Sequence, residues 1–195
     1  MTPQILLVTP IDAEPAALAE SLAPLVAAEA VTALIVRRGA RDDAAWRSLV
    51  AAVLPVAQGA DTAVLVEDDA ELALALGADG VHVTGGTRDV AAAIARIKPD
   101  LIVGAGPVWT RHAAMTLGEA GVDYLYFGAL GETAAPDARE LAQWWAEAFE
   151  IPAVLAAAPG DDALGCEFLG LGDALFQAPD GPAAALARAL SEPVA

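Results

Sequence analysis

The chain has 195 residues, of which 56% are hydrophobic, and this supplies one substantial core but too little chain for two ordinary domains. Its 27 acidic and 10 basic residues leave a formal net charge of −17, a negative field that repels nucleic acids and anionic membrane surfaces, so we exclude both as partners. No apolar run has the length of a membrane span and the N-terminus lacks the basic start of a signal peptide, so we expect one cytoplasmic domain over residues 1–195.

Short β-branched apolar runs alternate along the chain with Ala/Leu-rich runs of helical character. The predicted strands are 5–9, 32–37, 62–66, 80–83, 101–103, 124–128, 153–156 and 168–171, and the predicted helices are 14–28, 42–57, 69–76, 89–97, 111–120, 137–149 and 182–190. Most of these strands are continuously apolar, as expected of strands covered on both faces. Eight parallel strands with helical crossovers predict an α/β fold, the TIM (β/α)8 barrel, with a short connection after the seventh strand.

In such a barrel the carboxyl ends of the strands and the loops after them form the active face. Two acids after the third strand, Glu67 and Asp68, predict a cation site there, unless Asp68 instead caps the following helix. Arg37 ends the second strand and is interpreted as a grip for an anion or as the ion-pair partner of an acid such as Asp68. Trp109 and Arg111 flank the start of a helix on this face, where they predict stacking on a planar ring and contact with a phosphate.

Three segments, LLVT at 6–9, LGADGVHV at 76–83 and AGVDYLYFG at 120–128, resemble the thiamine-phosphate synthases and the related thiazole tautomerases. The resemblance is ordered along nearly the whole chain. It implies a TIM barrel that joins a pyrimidine pyrophosphate to a thiazole phosphate with the help of Mg²⁺. From the resemblance and from the positions after the strands together, the expected substrate-binding residues are Arg37, Thr84, Trp109, Arg111 and Thr133, and the expected metal ligands are Glu67 and Asp68.

The chain departs from the family pattern at several functional positions. The synthase motif Gln-x-Arg-x-Lys retains only Arg37, and Gly106 replaces the serine after the fifth strand. The second metal-binding carboxylate after the fourth strand is replaced by Thr87, no lysine follows Thr133, and Ala129 stands where the tautomerase carries a histidine. We therefore expect a divergent member that binds a heteroaromatic phosphate, has weak or absent synthase activity and carries no assigned catalytic residue.

Two alternatives stay open at this point. One is an active thiamine-phosphate synthase whose metal is held by Glu67, Asp68 and Asp89 in a rearranged site. The other is a non-catalytic scaffold or regulatory barrel that uses its surface to bind a partner. A homodimer is a further expectation, since the pair Trp144 and Trp145 on one helix packs against either a strand or a second subunit.

The remaining polar residues are predicted to be structural or unfavourable to anions. His82 lies within a strand and is interpreted as a satisfied residue that lines the barrel, and the single cysteine, Cys166, as a buried, unreactive thiol. Asp161, Asp162 and Asp173 follow the last two strands, where this fold usually binds phosphate. Their carboxylates would compete with a phosphate for the same backbone donors.

Overall fold

The computed structural model describes residues 3–191, which contain eight strands and eight helices. The strands are β1 (Gln4–Val8), β2 (Val31–Val36), β3 (Ala63–Glu67), β4 (Gly80–Val83), β5 (Ile102–Val108), β6 (Tyr124–Phe127), β7 (Ala153–Ala157) and β8 (Phe168–Leu171). The helices are α1 (Pro15–Val26), α2 (Asp43–Gln58), α3 (Ala70–Leu76), α4 (Thr87–Ile97), α5 (Arg111–Glu119), α6 (Pro136–Ala148), α7 (Asp173–Phe176) and α8 (Pro182–Ser191).

The eight strands form a closed parallel barrel in sequence order. The barrel closes between β8 and β1, where Gln4 pairs with Phe168 and Leu7 with Leu171. Most strand residues are buried, because one face of each strand lines the barrel and the other is covered by helices. The predicted TIM barrel is therefore confirmed, as is the short connection after β7, where residues 158–167 contain no helix.

Two elements differ from the sequence prediction. Strand β5 runs on to Val108, because Gly104 and Ala105 pair with β6 although the run from Gly104 to Pro107 has the composition of a loop. The helix α7 is one turn long and was not predicted, since four residues are too few for a periodic apolar pattern. It places Asp173 in its first turn, directly beside the carboxyl end of the barrel.

The interior of the barrel contains aromatic and polar side chains between glycine-bearing strands. A Cβ atom on Gly104 would lie 1.9 Å from Cζ of Tyr124, and one on Gly170 would lie 2.6 Å from the hydroxyl of Tyr126. Both tyrosine rings therefore occupy space that these glycines leave free. His82 joins them, fully buried, with its ring stacked on Tyr124 and edge-on to Tyr126.

The outer helices present apolar faces to the barrel. In α2, for example, Trp46, Leu49 and Val53 are buried, and the Asp42 carboxylate caps the helix by accepting a hydrogen bond from Ala45 N–H at 2.8 Å. Gly77 ends α3 in the left-handed conformation with φ of 75°, as its place in the sequence predicts. Among residues 3–191, no helix is both long enough and apolar enough to span a lipid bilayer.

Candidate functional site at the carboxyl end of the barrel

Arg37 lies at the mouth of the barrel, directly after β2, and its side chain is 7% exposed. Its guanidinium group donates three hydrogen bonds: from Nε to the Thr9 carbonyl at 2.5 Å, from Nη1 to the Leu130 carbonyl at 2.9 Å and from Nη2 to Asp173 Oδ1 at 2.6 Å. The main-chain N–H of Arg37 also donates to the Thr9 hydroxyl at 2.9 Å. Strand alternation directs this side chain inward, and the contacts then hold it in one orientation.

The loop between β6 and α6, residues 128–135, folds over Arg37. Gly131 lies so close that a Cβ atom there would be 2.3 Å from Arg37 Nη1, and its φ of +83° also favours glycine. A Cβ on Gly172, after β8, would lie 2.3 Å from the Gly131 Cα atom, and the N–H of Asp173 donates to the Gly131 carbonyl at 2.7 Å. The loops after β2, β6 and β8 therefore meet at one point above Arg37.

Asp68 follows β3, the strand next to β2 in the barrel, and is engaged with the end of β4. One of its carboxylate oxygens accepts the Thr84 N–H at 2.7 Å, and the other accepts the Thr84 hydroxyl. The residue has a left-handed backbone, with φ of 51°. Asp69, not Asp68, caps α3 by accepting the Leu72 N–H at 2.9 Å, and Asp173, not Asp68, is the partner of Arg37. The predicted Asp68 cap of α3 and the predicted Arg37–Asp68 ion pair are therefore both wrong, because the left-handed turn at Asp68 directs its carboxylate toward β4.

Glu67 ends β3 and its side chain is half-buried. Its Oε2 atom accepts the main-chain N–H of Arg38 at 2.6 Å, which ties β3 to the loop after β2. Burial raises the pKa of Glu67, an effect that is opposed by the Arg38 N–H and by the Arg37 charge and reinforced by the Asp68 charge. A carboxyl group in this setting holds its proton more readily than an exposed glutamate does.

These carboxylates do not fit Mg²⁺ as they stand, because their hydrogen bonds direct them to protein donors. Asp68 uses both oxygens on Thr84, and Glu67 uses one on Arg38. Mg²⁺ needs six oxygen ligands in octahedral geometry, from one or two carboxylates, substrate phosphates and waters. Within residues 3–191, no group of three or more His, Cys, Asp or Glu side chains is arranged to hold a metal ion.

A groove of about 550 Å³ opens beside this acidic edge, between α3 and α4. It is lined at the mouth end by Asp68, Thr84 and Asp89, and farther out by small apolar residues and Arg96. Arg96 is held there by Glu71, which it contacts through two nitrogen atoms at 2.5 and 3.0 Å. The groove extends the mouth outward between the helices.

Three other predicted substrate-binding residues, Trp109, Arg111 and Thr133, are exposed to solvent. Trp109 is 59% exposed just before α5, and Thr133 is exposed on the β6–α6 loop. Arg111 stacks over the ring of Trp144 in α6, with its guanidinium carbon 4.6 Å from the ring centroid. Arg111 therefore bridges α5 and α6 on the outer helical layer.

Beneath the mouth, His82 and Tyr124 form a buried hydrogen bond of 2.7 Å between Nδ1 and the phenol oxygen. Burial lowers the pKa of His82 to about 3, so the imidazole is neutral at physiological pH. Burial likewise raises the pKa of Tyr124, whose phenol stays protonated. The prediction that His82 lines the barrel is confirmed, since its ring is fully buried between Tyr124 and Tyr126.

Two contributors to the mouth were absent from the predicted site. Asp173 was recognised only as an acid after the last strand, and Leu130 contacts Arg37 through its main-chain carbonyl, an interaction that leaves no trace in residue type. Cys166 is buried, as predicted, and burial raises the pKa of its thiol to about 12. Lys98, the single lysine, pairs with Asp123 where α4 ends, at the amino end of the barrel.

Comparison with known proteins identifies the family. Residues 5–158 match the family described as thiamine monophosphate synthase. A thiamine-phosphate synthase of Rhodospirillum centenum is 35% identical, with 94% of each chain covered. A thiamine-phosphate synthase of Hyphomonas neptunium is 39% identical over 76% of this chain and 72% of its own length.

Solved structures agree on the fold. The thiamine phosphate pyrophosphorylase from Pyrococcus furiosus superposes with a TM-score of 0.75 at 23% identity, covering 96% of this chain and 95% of that one. A structure titled native KDPGal superposes with a TM-score of 0.71 at 18% identity, with 97% and 96% covered. The two structures share the barrel, whereas the family match and the curated relatives extend to sequence. This chain belongs to the thiamine monophosphate synthase family.

Proposed function

We propose that the protein binds a phosphate or pyrophosphate ester of a heteroaromatic compound at the mouth of the barrel, with low activity as a thiamine-phosphate synthase. One observation carries this proposal: Arg37 presents a nearly buried guanidinium at the point where the loops after β2, β6 and β8 meet. A guanidinium held in one orientation in a partly desolvated site is well suited to bind a phosphate through two parallel hydrogen bonds.

The residues around Arg37 have separate roles in this binding. Arg37 anchors the anionic group and the β6–α6 loop shields it from water. Thr133 on that loop contacts the ester, and Trp109 after β5 contacts the ring. Thr84 lies at the end of β4, where its hydroxyl now contacts Asp68. His82 stays neutral below the mouth and supports the floor through Tyr124.

Low synthase activity is supported by how the mouth uses its acids. The family reaction, as the resemblance implies it, relies on Mg²⁺ to stabilise the charge of the pyrophosphate that leaves. Here Glu67 and Asp68 are directed to protein donors, and Lys98 lies at the opposite end of the barrel. With the cation weakly held and no lysine at the mouth, stabilisation of the developing negative charge depends on arginine side chains such as Arg37.

The proposal is tested by measuring binding and turnover separately. We expect the thiazole phosphate or pyrophosphate, added at about 100 times its Kd, to raise Tm by roughly 5 to 10 °C. Arg37→Gln should abolish this increase, whereas Arg47→Gln, a matched change on the exposed side of α2, should retain it. Pyrophosphate release with both substrates and Mg²⁺ should stay far below that of a competent synthase. Efficient turnover would contradict the low activity, and no thermal shift with any phosphate would leave the scaffold interpretation.

A second candidate is an active thiamine-phosphate synthase with a rearranged metal site. It is favoured by one observation: Asp68 and Asp89 line the same groove beside the mouth. Such a site requires Asp68 to turn away from Thr84 once the substrate phosphates arrive. Asp68→Ala should then abolish both Mg²⁺ binding, measured by calorimetry, and pyrophosphate release. Unchanged activity in this variant would exclude the second candidate.

A further inference from the structure

Asp173 occupies the ligand-facing side of Arg37 with a carboxylate of its own. Its Oδ1 atom accepts a hydrogen bond from Arg37 Nη2 at 2.6 Å, and its side chain is 36% exposed against 7% for the arginine. The contact therefore joins a buried cation to an anion at the solvent boundary. This is the direction from which a dissolved anion would approach the guanidinium.

The backbone holds Asp173 in this place independently of its charge. Its main-chain N–H donates to the Gly131 carbonyl at 2.7 Å, and the neighbouring Gly172 is packed against Gly131. The residue also begins α7, whose first turn follows directly from β8. Because these contacts involve the main chain, removing the carboxylate charge leaves the position of the residue and of the β6–α6 loop in place.

The remaining hydrogen-bonding capacity of Arg37 is limited. A guanidinium has five N–H donors, and three of them are used by Thr9, Leu130 and Asp173. Thr9 and Leu130 accept through main-chain carbonyls, which carry no charge to compete with a ligand. Asp173 is the one charged acceptor among the three, so it is the group that an incoming anion displaces.

Resting on the proposed function of anion binding at this mouth, we propose that Asp173 limits the affinity of the site: it is a built-in competitor that occupies Arg37 until a more highly charged anion replaces it. A phosphate or pyrophosphate ester carries two or more negative charges and offers several acceptor oxygens, so it competes effectively with one carboxylate. A monocarboxylate or a neutral heterocycle does not. Asp173 thereby lowers the affinity of Arg37 for phosphorylated ligands, which have to displace it, and leaves the binding of a neutral heterocycle unaffected.

The test compares Asp173→Asn with the wild-type protein by calorimetric titration. The asparagine keeps the size and the main-chain contacts of Asp173 but removes its charge. Asp61→Asn is the matched control, since it removes one negative charge from an exposed turn between α2 and β3, at the other end of the barrel, where φ of +58° also suits asparagine. The ligands are inorganic pyrophosphate, the thiazole phosphate and the unphosphorylated thiazole alcohol.

We expect Asp173→Asn to bind pyrophosphate and the thiazole phosphate about tenfold more tightly than the wild type, since a charge-assisted hydrogen bond no longer has to be replaced. Affinity for the thiazole alcohol should not change, and Asp61→Asn should behave as the wild type does. If the wild type binds phosphates and Asp173→Asn binds them no more tightly, this inference is wrong while the proposed function stands. If neither protein binds any phosphate, the proposed function and the inference about Asp173 are both wrong. If only the variant binds, Asp173 competes so strongly that it prevents binding in the wild type, which supports the inference.

Discussion

A methyl group added at Gly104 should disrupt the aromatic interior of the barrel. The Cβ atom of an alanine at this position would lie 1.9 Å from Cζ and 2.1 Å from Cε1 of Tyr124, and 2.4 Å from the phenol oxygen. Ordinary carbon contacts are about 3.5 Å or more, so the ring would have to move by roughly 1.5 Å. Tyr124 is 6% exposed, and its ring is stacked on His82 and hydrogen-bonded to it, so a movement of this size breaks those contacts.

The size of the effect follows from two losses. Overpacking of a filled core costs about 1 to 3 kcal/mol, and moving the phenol breaks its 2.7 Å hydrogen bond to His82, which adds about 0.5 to 1.5 kcal/mol. Gly104→Ala should therefore reduce the free energy of unfolding by about 2 to 4 kcal/mol, which corresponds to a decrease in Tm of roughly 4 to 16 °C for a domain of this size. Urea denaturation, with tyrosine and tryptophan fluorescence as the probe, measures the difference.

A double-mutant cycle identifies the cause. Tyr124→Leu removes the ring, so Gly104→Ala in that background should cost much less than it does in the wild type, with a coupling energy of about 1 kcal/mol or more. Gly86→Ser is the matched control, because no atom lies within 4 Å of a Cβ there and serine is favoured at the start of α4. Additive effects at Gly104 and Tyr124 would refute the close approach of the ring to the strand.

Two further predictions concern the titratable groups Glu67 and Cys166. Burial raises the pKa of Glu67, so the folded state binds its proton more tightly than the unfolded state does, and stability falls as pH rises from the usual glutamate range through the raised value. Glu67→Gln should therefore show a free energy of unfolding that depends less on pH in this range, and it should be more stable than the wild type at pH 7. Urea unfolding at a series of pH values measures this, and a steeper pH dependence in the variant would contradict the burial of Glu67. Cys166 is 5% exposed, and burial raises the pKa of its thiol to about 12. At pH 8 its alkylation in the folded protein should therefore be roughly a thousandfold slower than in urea. Comparable rates in the two conditions would show that the thiol is accessible.

The family motifs and the mouth geometry describe different aspects of the same site. The segment from Leu76 to Val83 carries part of the resemblance, and in the fold it supplies the end of α3, the turn at Gly77 and all of β4. These are largely structural roles. The positions that differ from the family pattern are instead concentrated in the loops at the carboxyl end, where Arg37 and Thr133 remain beside changed neighbours. Conserved architecture with altered loops is how barrels of this type change their chemistry.

The placement of the candidate residues illustrates what residue type can and cannot predict. Arg37 was expected at the mouth because strand ends converge there, and it lies there. Its partner could not be chosen, because several acids follow the strands and each is an equally good acceptor by type. Asp68 is nearer in sequence, whereas Asp173 lies 136 residues away and is brought to Arg37 by barrel closure between β8 and β1.

By itself the sequence determined the fold. Apolar strands that alternate with amphipathic helices specify a parallel barrel, and the segment after β7 is too short to form a regular barrel helix. The type and order of these elements depend on the periodicity of apolar residues, which is a local property of the sequence. Only the tertiary structure decided that Asp173 forms the ion pair with Arg37 and that Asp68 accepts hydrogen bonds from Thr84. It also decided that the Tyr124 ring fills the space beside Gly104. Each of these contacts joins different strands or loops, so it exists only once the barrel has closed and the backbone has set the direction of each side chain.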